Sequence, residues 1–512
     1  MGNIAVISVY DKQGVVEFAT GLTQLGYEIV STGGTAKALR EGGVQVTEVS
    51  DLTGFPEILD GRVKTLNPVI FAGILARRAV GQHMAELEKR GIKPVDVVAV
   101  NLYPFEDTVK KPGVTMDEAV ENIDIGGPSL LRAAAKNHED VAVVCDPSDY
   151  SWVLEALQNG TLNGDRRRQL AAKAFYLTAC YDSLIASFMA KKAGVDLQQF
   201  PERLTLHFQK KMDLRYGENP HQRAAFYVEP FSQEVTIAGA RQLQGKELSF
   251  NNILDADAAL NIVKEFDQPA AVVVKHTNPC GCAVGETLSE AFRKAYESDP
   301  VSIFGGIVAF NRKLDPETAR RLADIFLEIV IAPEFDDEAL EVLSKKTNLR
   351  VLATGHWLGH PSQGRDLRKV RGGLLLQDAD TQDAEHWRVV TDKEPTPEQL
   401  ADLRFAWKVV KHVKSNAVVL AKGRQTMGIG AGQMNRIDAA KIAIAHAGEA
   451  AVGCVLASDG FFPFPDVVEA ATNAGIVAIV QPGGSIRDNE SIAMANQKGI
   501  AMLFTGVRHF KH

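Results

Sequence analysis

The chain contains 512 residues, of which 45% are hydrophobic and 23% are charged, and it carries a formal net charge of −8. This composition predicts a globular protein of several domains, and the acidic balance argues against a nucleic-acid partner. With five cysteines, no basic leader and no apolar run of roughly 18 residues, we expect no disulfide framework, secretion signal or membrane helix, and therefore a cytoplasmic location.

Short apolar strands alternate with helical patterns through residues 1–150. This alternation predicts an α/β domain with a parallel sheet and helices on both faces, and such a sheet binds ligands at the carboxyl ends of its strands. Strands are predicted at residues 4–9, 27–31, 95–105 and 141–145, and helices at 14–25 and 35–43.

A helical pattern spans residues 165–194, and we interpret it as a connector to a second region. In that region one arrangement recurs: a strand, a turn, a glycine-containing segment, a helix and a glycine-bearing strand. It begins near Ala270 and again near Asn416, with predicted helices at 288–298 and 437–449. Either the region is an internal duplication, or two similar α/β segments occur by chance.

The turn Ser31–Thr35, which reads STGGT, follows a predicted strand and opens a predicted helix. Glycines allow close approach to a ligand, and a helix N-terminus offers unpaired N–H groups to an anion. The turn is therefore a candidate phosphate site. The alternative is a capped turn that binds nothing.

Other candidate proton-transfer residues are expected at the ends of different strands. They are Lys64 in GRVKTLNP, Tyr103 in NLYPF, Asp124 in DIGGPS and Lys136 in AAAKNH. A lysine, a tyrosine and an aspartate gathered at the ends of different strands would suit proton transfer. Alternatively, the two lysines bind phosphate or are only solvated.

The segment Val274–Cys282, VKHTNPCGC, contains one histidine and two cysteines, which are residue types that bind zinc. A zinc deaminase needs a glutamate two residues after its histidine, followed by a P-C-x-x-C element. Here Asn278 stands where the glutamate would be, and Cys280 and Cys282 are only two apart, which would crowd a tetrahedral site. The pattern argues against zinc.

The same segment also suits an acid–base pair without a metal. Lys275 and His276 stand at the end of a predicted strand, and Pro279 and Gly281 would provide the bend that brings them into one site. The alternative is an exposed lysine beside a structural histidine.

Several motifs occur in one order along the chain: STGGT, GRVKTLNP, NLYPF, DIGGPSLLRAAAKNH, LRYGENPHQ, VVKHTNPCG, KSNAVVLAKG, GIGAGQMNR and SDGFFPFPD. Together they resemble the bifunctional family that combines AICAR transformylase with IMP cyclohydrolase, over essentially the whole length. The resemblance implies a methylglyoxal-synthase-like, doubly wound cyclohydrolase domain at 1–199. It further implies a transformylase domain at 200–512, built from two cytidine-deaminase-like repeats at about 200–375 and 376–512.

The resemblance implies that the transformylase moves a formyl group from 10-formyltetrahydrofolate to AICAR. His276 would be the base and Lys275 would stabilise the transition state. Substrate-binding positions would be Arg215, Tyr216, Gly305, Glu328, Asn416, Arg436, Phe461 and Arg508, and folate-binding positions Ile437, Asp466, Ser485 and Ile486.

The resemblance also implies that the cyclohydrolase closes formyl-AICAR to IMP. Lys136 would be the proton donor and acceptor, with Lys64, Tyr103 and Asp124 around the reacting atoms. Nucleotide-binding positions would be Tyr10, Asp11, Lys12, Thr32, Gly33, Gly34, Thr35, Arg62, Val63, Thr65, Asn101 and Ile125.

The same resemblance implies a homodimer with transformylase sites at the interface, and no nucleic-acid or membrane partner. It implies no catalytic metal, while a structural monovalent cation stays compatible with the sequence. Two other functions are kept as alternatives: a zinc-dependent nucleotide deaminase and a non-catalytic nucleotide-sensing protein.

Overall fold

The computed structural model describes residues 3–193, 200–230, 234–356, 364–382 and 386–512. These residues form two compact units, of which the first runs to Phe208 and the second takes most of the chain from Gln209 onward. The predicted domain boundary at residue 199 lies outside the described residues and stays a prediction. Among the described helices, none is both long and apolar enough to cross a membrane.

The first unit contains a five-stranded sheet in the order β3-β2-β1-β4-β5, with every neighbouring pair parallel. The parallel sheet predicted from the sequence is confirmed, because buried apolar strands alternate with helices. Its elements are β1 (Asn3–Ser8), α1 (Val15–Gln24), β2 (Tyr27–Ser31), α2 (Gly33–Glu41), β3 (Thr47–Glu48), α3 (Val49–Thr53), α4 (Pro68–Leu75), α5 (Gly81–Lys89), β4 (Val95–Val100), α6 (Phe105–Val109), α7 (Met116–Glu121), α8 (Gly126–Lys136), β5 (Ala142–Val144), a 3-10 turn (Pro147–Asp149), α9 (Tyr150–Gln158) and α10 (Gly164–Lys192).

Helix α10 packs within the first unit, and our interpretation of this segment as a connector to the second region stays a prediction. Leu170 and Ala174 pack into the core beneath the sheet, and Tyr181, Leu184 and Phe188 form a second apolar cluster further along the helix. A helical pattern reveals that a face is apolar, but it does not reveal which surface that face will cover.

The second unit is built around a 12-stranded sheet and two separate two-stranded sheets. Its elements are β6 (Gln209–Leu214), β7 (Ala224–Val228), β8 (Arg241–Gln244), α11 (Phe250–Val263), β9 (Ala270–Lys275), β10 (Asn278–Val284), α12 (Leu288–Ser298), β11 (Gly306–Phe310), α13 (Pro316–Ala323), β12 (Leu327–Ala332), α14 (Asp337–Ser344), β13 (Arg350–Ala353), β14 (Arg365–Val370), β15 (Gly373–Asp378), β16 (Arg388–Val389), α15 (Pro397–Val410), β17 (Val418–Lys422), β18 (Gln425–Gly430), α16 (Arg436–Ala447), a 3-10 turn (Gly448–Ala451), β19 (Val455–Ser458), α17 (Asp466–Asn473), β20 (Ala478–Gln481), α18 (Asp488–Lys498) and β21 (Ala501–Phe504).

The strand order confirms the internal duplication. One half of the large sheet runs β10-β9-β11-β12-β13 and the other runs β18-β17-β19-β20-β21, joined where β10 pairs with β18. In each half an antiparallel hairpin is followed by three strands that are parallel to one another. Helices α11 and α15, one from each half, share a single core on one face of the sheet.

Two glycines occupy matching places in the two halves and let a helix approach its strand. A Cβ added to Gly281 would lie 2.0 Å from the carbonyl oxygen of Ala295 on α12, and one added to Gly428 would lie 2.0 Å from that of Ala443 on α16. Any side chain at either position would therefore push the helix off the sheet.

We expect Gly428→Ala to lower the free energy of unfolding of the protein by about 1–3 kcal/mol, because the added methyl group overpacks the strand–helix contact. Gly239→Ala is the matched control, since its new Cβ would lie 3.8 Å from the nearest backbone oxygen. Denaturant unfolding of both variants measures the difference. Equal stabilities would contradict the tight contact.

Candidate active sites

The first unit contains a cleft of about 740 Å³ at the carboxyl ends of β1, β2 and β4, where a parallel sheet is expected to bind ligands. Its lining includes most of the residues predicted for the cyclohydrolase. They are Tyr10, Lys12, Thr32, Gly33, Gly34, Thr35, Arg62, Lys64, Thr65, Asn101, Tyr103, Asp124 and Ile125.

The STGGT turn forms the N-terminus of α2 at one side of this cleft. Gly33 has a φ of +55°, and the first-turn N–H groups of a helix have no acceptor within the helix. Lys64 adds positive charge, since a Cβ built on Gly33 would lie 3.8 Å from its Nζ. The glycine turn, the N-terminus of α2 and the ammonium group of Lys64 together form a surface that is suited to bind an anion.

Two of the predicted nucleotide-binding residues also hold the walls of the cleft. Thr35 Oγ1 donates to the carbonyl of Val9 (2.8 Å) and accepts from its N–H (3.1 Å), so this hydroxyl fixes the end of β1. Asn101 Oδ1 accepts from the N–H groups of Tyr10 (2.5 Å) and Asp11 (3.0 Å), and so fixes the loop after β1. Asp11 itself is not among the residues that line the cleft.

Asp124 lies at the N-terminus of α8, beside the cleft. Burial raises the pKa of its carboxyl, while the N–H of Gly127, at 2.8 Å, and the charge of Lys64 oppose that rise. Tyr181 on α10 holds the same residue, because its Oη accepts from the N–H of Asp124 at 2.8 Å. Sequence reasoning missed Tyr181, which is distant in sequence and carries no motif.

A tight turn presents the cations of the GRVKTLNP segment. The backbone of Val63 pairs with that of Ile58, so Val63 closes the turn and is not among the residues that line the cleft. Arg62 pairs with Glu121, and Lys64 Nζ lies 3.8 Å from a carboxylate oxygen of Glu57. Both cations therefore have acidic neighbours at the cleft.

Lys136 does not line the cleft. It is the last residue of α8, whose first residue, Gly126, does line it. The rise of an α-helix puts the two Cα atoms about 15 Å apart. The proton-transfer role predicted for Lys136 stays a prediction from the family resemblance.

In the second unit, Lys275 and His276 lie at the tip of the β9–β10 hairpin. The two turn residues are His276, with φ +52°, and Thr277, with φ +61°. Consecutive positive φ values are the mark of a type I′ turn, which usually takes Asn-Gly. The predicted bend at Pro279 and Gly281 was wrong, because these residues lie within β10 and the chain turns two residues earlier.

The tip is held by contacts that the sequence did not reveal. Asp255 on α11 accepts the N–H of Thr277 through Oδ1 at 2.7 Å, and Lys275 Nζ donates to the carbonyl of Phe304 at 2.8 Å. His276 is exposed. Its imidazole is therefore accessible at the end of the sheet, on a turn whose two residues have positive φ.

Asn278, next to the tip, contacts the backbone two residues before the predicted substrate residue Asn416. Its Oδ1 accepts the N–H of Lys414 at 3.0 Å. Asn416 Oδ1 in turn accepts from the guanidinium of Arg436 at 2.7 Å. The structure therefore brings the hairpin tip, Asn416 and Arg436 into one neighbourhood.

Arg436 is almost fully buried, and its guanidinium is occupied within the protein. It pairs with Asp459, which is 0% exposed, and it donates to Ser458 Oγ at 2.7 Å. Asp459 also accepts the N–H of Ala417 at 3.1 Å and the hydroxyl of Ser415 at 2.5 Å. Arg436 therefore orders the loop around Asn416.

Two more predicted substrate residues border this network. Phe461 follows Gly460, where an added Cβ would lie 2.5 Å from the Arg436 guanidinium and 2.7 Å from the ring of Phe510. The guanidinium of Arg508 lies 4.4 Å from the centre of the same Phe510 ring. Both Phe461 and Arg508 are exposed and accessible to a ligand.

The predicted folate residues lie on two neighbouring segments and beside Arg436. Arg487 stacks on Phe464 at 4.8 Å, which joins the loop carrying Ser485 and Ile486 to the start of α17, where Asp466 is the first residue. Ile486 is fully exposed. Ile437 follows Arg436 on α16 and is half-buried.

The remaining predicted substrate residues lie on other loops and strands. Arg215 stacks on Tyr216 at 5.6 Å, directly after β6. Gly305, with φ +73°, follows Phe304, the residue whose carbonyl binds Lys275. Glu328 pairs with the buried Arg350 at 2.7 Å, so its carboxylate is engaged within the sheet.

The two cysteines of the zinc-like motif face opposite sides of the sheet. A bulge between Pro279 and Gly281 changes the alternation, so that Cys280 packs into one core cluster and Cys282 into another. Burial raises the pKa of both thiols, that of Cys280 to about 12. Within the described residues, no group of three or more His, Cys, Asp and Glu side chains is placed to hold a metal ion.

Comparison with known proteins identifies relatives along the whole chain. A family model described as "AICARFT/IMPCHase bienzyme" matches residues 134–446, and one described as "MGS-like domain" matches residues 14–129. Proteins named bifunctional purine biosynthesis protein PurH are 58% identical over 512 residues in Halalkalibacterium halodurans, 57% over 511 in Bacillus mycoides and 58% over 511 in Anoxybacillus flavithermus. Each alignment covers 99% of this chain and 99% of the relative.

A solved structure described as "Crystal structure of ForH" is 38% identical over 36% of this chain and 97% of that chain. Its TM-score is 0.33, which is too low to support a structural argument.

We expect Asp459→Ala to destabilise the second unit by about 3–5 kcal/mol, because it leaves the Arg436 charge buried and unpaired. Glu338→Ala is the matched control, since it removes an ion pair with Arg320 in which both side chains are more than half exposed. This exposed pair should change stability by less than about 1 kcal/mol. Denaturant unfolding tests the difference, and similar losses in both variants would contradict it.

Proposed function

Since this chain belongs to the AICARFT/IMPCHase bienzyme family, we propose that its two units divide the family's two reactions between them. The protein catalyses the last two steps of IMP synthesis. The second unit transfers a formyl group from 10-formyltetrahydrofolate to AICAR, and the first unit closes formyl-AICAR to IMP. The observation that best supports this division is the cleft in the first unit, because residues from four separate motifs line it.

In the formyl transfer, the amine of AICAR is a weak nucleophile because its lone pair is delocalised into the ring. As the amine nitrogen attacks the formyl carbon, His276 removes its proton. Lys275 stabilises the negative charge on the formyl oxygen. The attack gives a tetrahedral intermediate. When this intermediate collapses, the bond between the formyl carbon and the folate nitrogen breaks, and the folate nitrogen takes up a proton, so that tetrahydrofolate leaves.

The hairpin geometry supports these roles. His276 is exposed at the tip, and Lys275, the last residue of β9, already donates to a carbonyl oxygen at 2.8 Å. The Arg436–Asn416 pair lies close by and positions an amide side chain for the aminoimidazole. Phe461 and Arg508 offer an aromatic face and a cation for the nucleotide.

In the ring closure, both reacting atoms belong to one molecule, so orientation supplies much of the rate. The carboxamide nitrogen attacks the formyl carbon and loses one proton, and the formamide nitrogen loses its own proton as it forms the C=N bond. The formyl oxygen takes up both protons and leaves as water. Lys64, Tyr103 and Asp124 move these protons, and their position in the lining of the cleft supports this role. The N-terminus of α2 holds the 5′-phosphate.

The proposed location, oligomeric state and metal content rest on the family resemblance. We propose a cytoplasmic homodimer whose transformylase sites are completed at the interface. Exposed apolar residues near the hairpin tip support such an interface: Val301 is 81% exposed and Phe304 is 62% exposed. A structural monovalent cation and the absence of a catalytic metal remain predictions.

We expect His276→Ala to slow tetrahydrofolate release by about 10²–10⁴-fold, because the attacking amine loses its base. Ring closure of supplied formyl-AICAR by the same variant should be unchanged, since the cleft lies in the other unit. A spectroscopic assay with a chelator present throughout measures both steps. Full formyl transfer by the variant, or loss of parent activity with the chelator, would contradict the proposal.

The two candidate lysines of the cyclohydrolase can be separated by mutation. We expect Lys64→Ala to slow ring closure by about 10²–10⁴-fold, because it removes the ammonium group at the cleft. The family resemblance predicts a comparable loss for Lys136→Ala, although Lys136 lies at the far end of α8.

The measurement is the rate of IMP formation from formyl-AICAR, with formyl transfer as the internal control. A loss in Lys64→Ala but not in Lys136→Ala would place proton transfer in the cleft. A loss in Lys136→Ala alone would overturn the role of Lys64.

A further inference from the structure

We infer that Asp255 is a positioning residue for the transformylase site, holding the strained turn that carries His276. This inference rests on the proposed role of His276. It concerns a residue on a helix, outside every motif that the sequence analysis singled out.

The turn needs a support because its residues disfavour its geometry. His276 and Thr277 have φ values of +52° and +61°, a region that asparagine and glycine adopt readily and β-branched residues adopt rarely. Asp255 Oδ1 accepts the N–H of Thr277 at 2.7 Å. The bond offsets the strain only while the turn keeps this geometry, so it selects the conformation that presents the imidazole.

The duplicated half of the sheet contains the same device without a catalytic residue. Gly423 and Arg424 form the tip of the β17–β18 hairpin with φ values of +59° and +54°. Asp402 on α15 accepts the N–H of Gly423 at 2.9 Å and of Arg424 at 2.7 Å. In both halves, therefore, an aspartate on the preceding helix holds the tip of the following hairpin.

The two hairpin tips distinguish the role of holding a turn from the role of positioning a reacting side chain. At the first tip, the first turn residue is His276, whereas at the second tip it is Gly423, which has no side chain to present. Removal of either aspartate should disturb a hairpin, but only the loss of Asp255 should displace a reacting group. Asp402 is thus a matched control within the same molecule.

The helix of Asp255 also meets another predicted substrate segment. Asn251 on α11 donates to the carbonyl of Glu218 at 3.3 Å, in the LRYGENP segment that contains Arg215 and Tyr216. One turn of α11 separates Asn251 from Asp255. The helix therefore positions the hairpin tip relative to this segment.

The test compares formyl-transfer kinetics of the full-length parent, Asp255→Ala and Asp402→Ala. We expect Asp255→Ala to lower kcat by about 10- to 100-fold, the loss typical of a misplaced reacting group, with the KM for AICAR within about 3-fold. Asp402→Ala should keep kcat within about 2-fold of the parent. Ring closure of supplied formyl-AICAR should be unchanged in both variants and so reports on folding and concentration.

A rescue variant tests the cause. Thr277→Gly removes the side chain that disfavours positive φ, so Asp255→Ala/Thr277→Gly should recover about 10-fold in kcat over Asp255→Ala. If Asp255→Ala does not fold, the double variant still decides, since it is required to fold and to transfer the formyl group at a rate within about 10-fold of the parent rate. Its failure to do so would overturn the inference.

Other outcomes are equally decisive. The inference is overturned if Asp255→Ala retains the parent kcat, if Asp402→Ala loses as much activity, or if Thr277→Gly gives no recovery. His276→Ala is measured in parallel. Full activity of His276→Ala would overturn the role of His276 itself, whereas its inactivity beside an unchanged Asp255→Ala would overturn only the role of Asp255.

Discussion

The buried ion pair between Arg436 and Asp459 is the constraint on which the candidate transformylase site depends. Both side chains are removed from water, so neither charge is tolerated without the other. The pair also fixes what surrounds it: Asn416 through Arg436, and Ser415 and the N–H of Ala417 through Asp459. The loop proposed to bind substrate is therefore ordered before any ligand arrives, which would reduce the entropy that binding must overcome.

The two halves of the second unit differ at the residue that follows the first of their three parallel strands, which is Asp459 after β19 in the second half. In the first half, the buried residue after β11 is the neutral Asn311, whose Oδ1 accepts the N–H of Ala270 and whose amide donates to two carbonyls. The helix before β11, α12, begins with the apolar Leu288, whereas the helix before β19, α16, begins with Arg436. One fold thus carries a neutral network in one half and a charged one in the other. The charged network lies beside the hairpin tip of the opposite half, where His276 is presented.

Much of this architecture could be predicted because its signals are local. The helix at 288–298 and the strand at 27–31 have the predicted bounds, and the repeated pattern reveals the duplication. The turn at His276 was missed because histidine and threonine give no sign of positive φ. Asp255, Tyr181 and Asp459 were missed for a different reason: each acts on a backbone group that only the folded chain brings near.

In the proposed function, two independent sites on one chain perform successive reactions. The most direct test mixes His276→Ala with Lys64→Ala and supplies AICAR and 10-formyltetrahydrofolate. We expect neither variant alone to form IMP at an appreciable rate, while the mixture does, because formyl-AICAR released by the Lys64 variant is closed in the intact cleft of the His276 variant. A mixture no faster than either variant alone would contradict the division of the two reactions between the units.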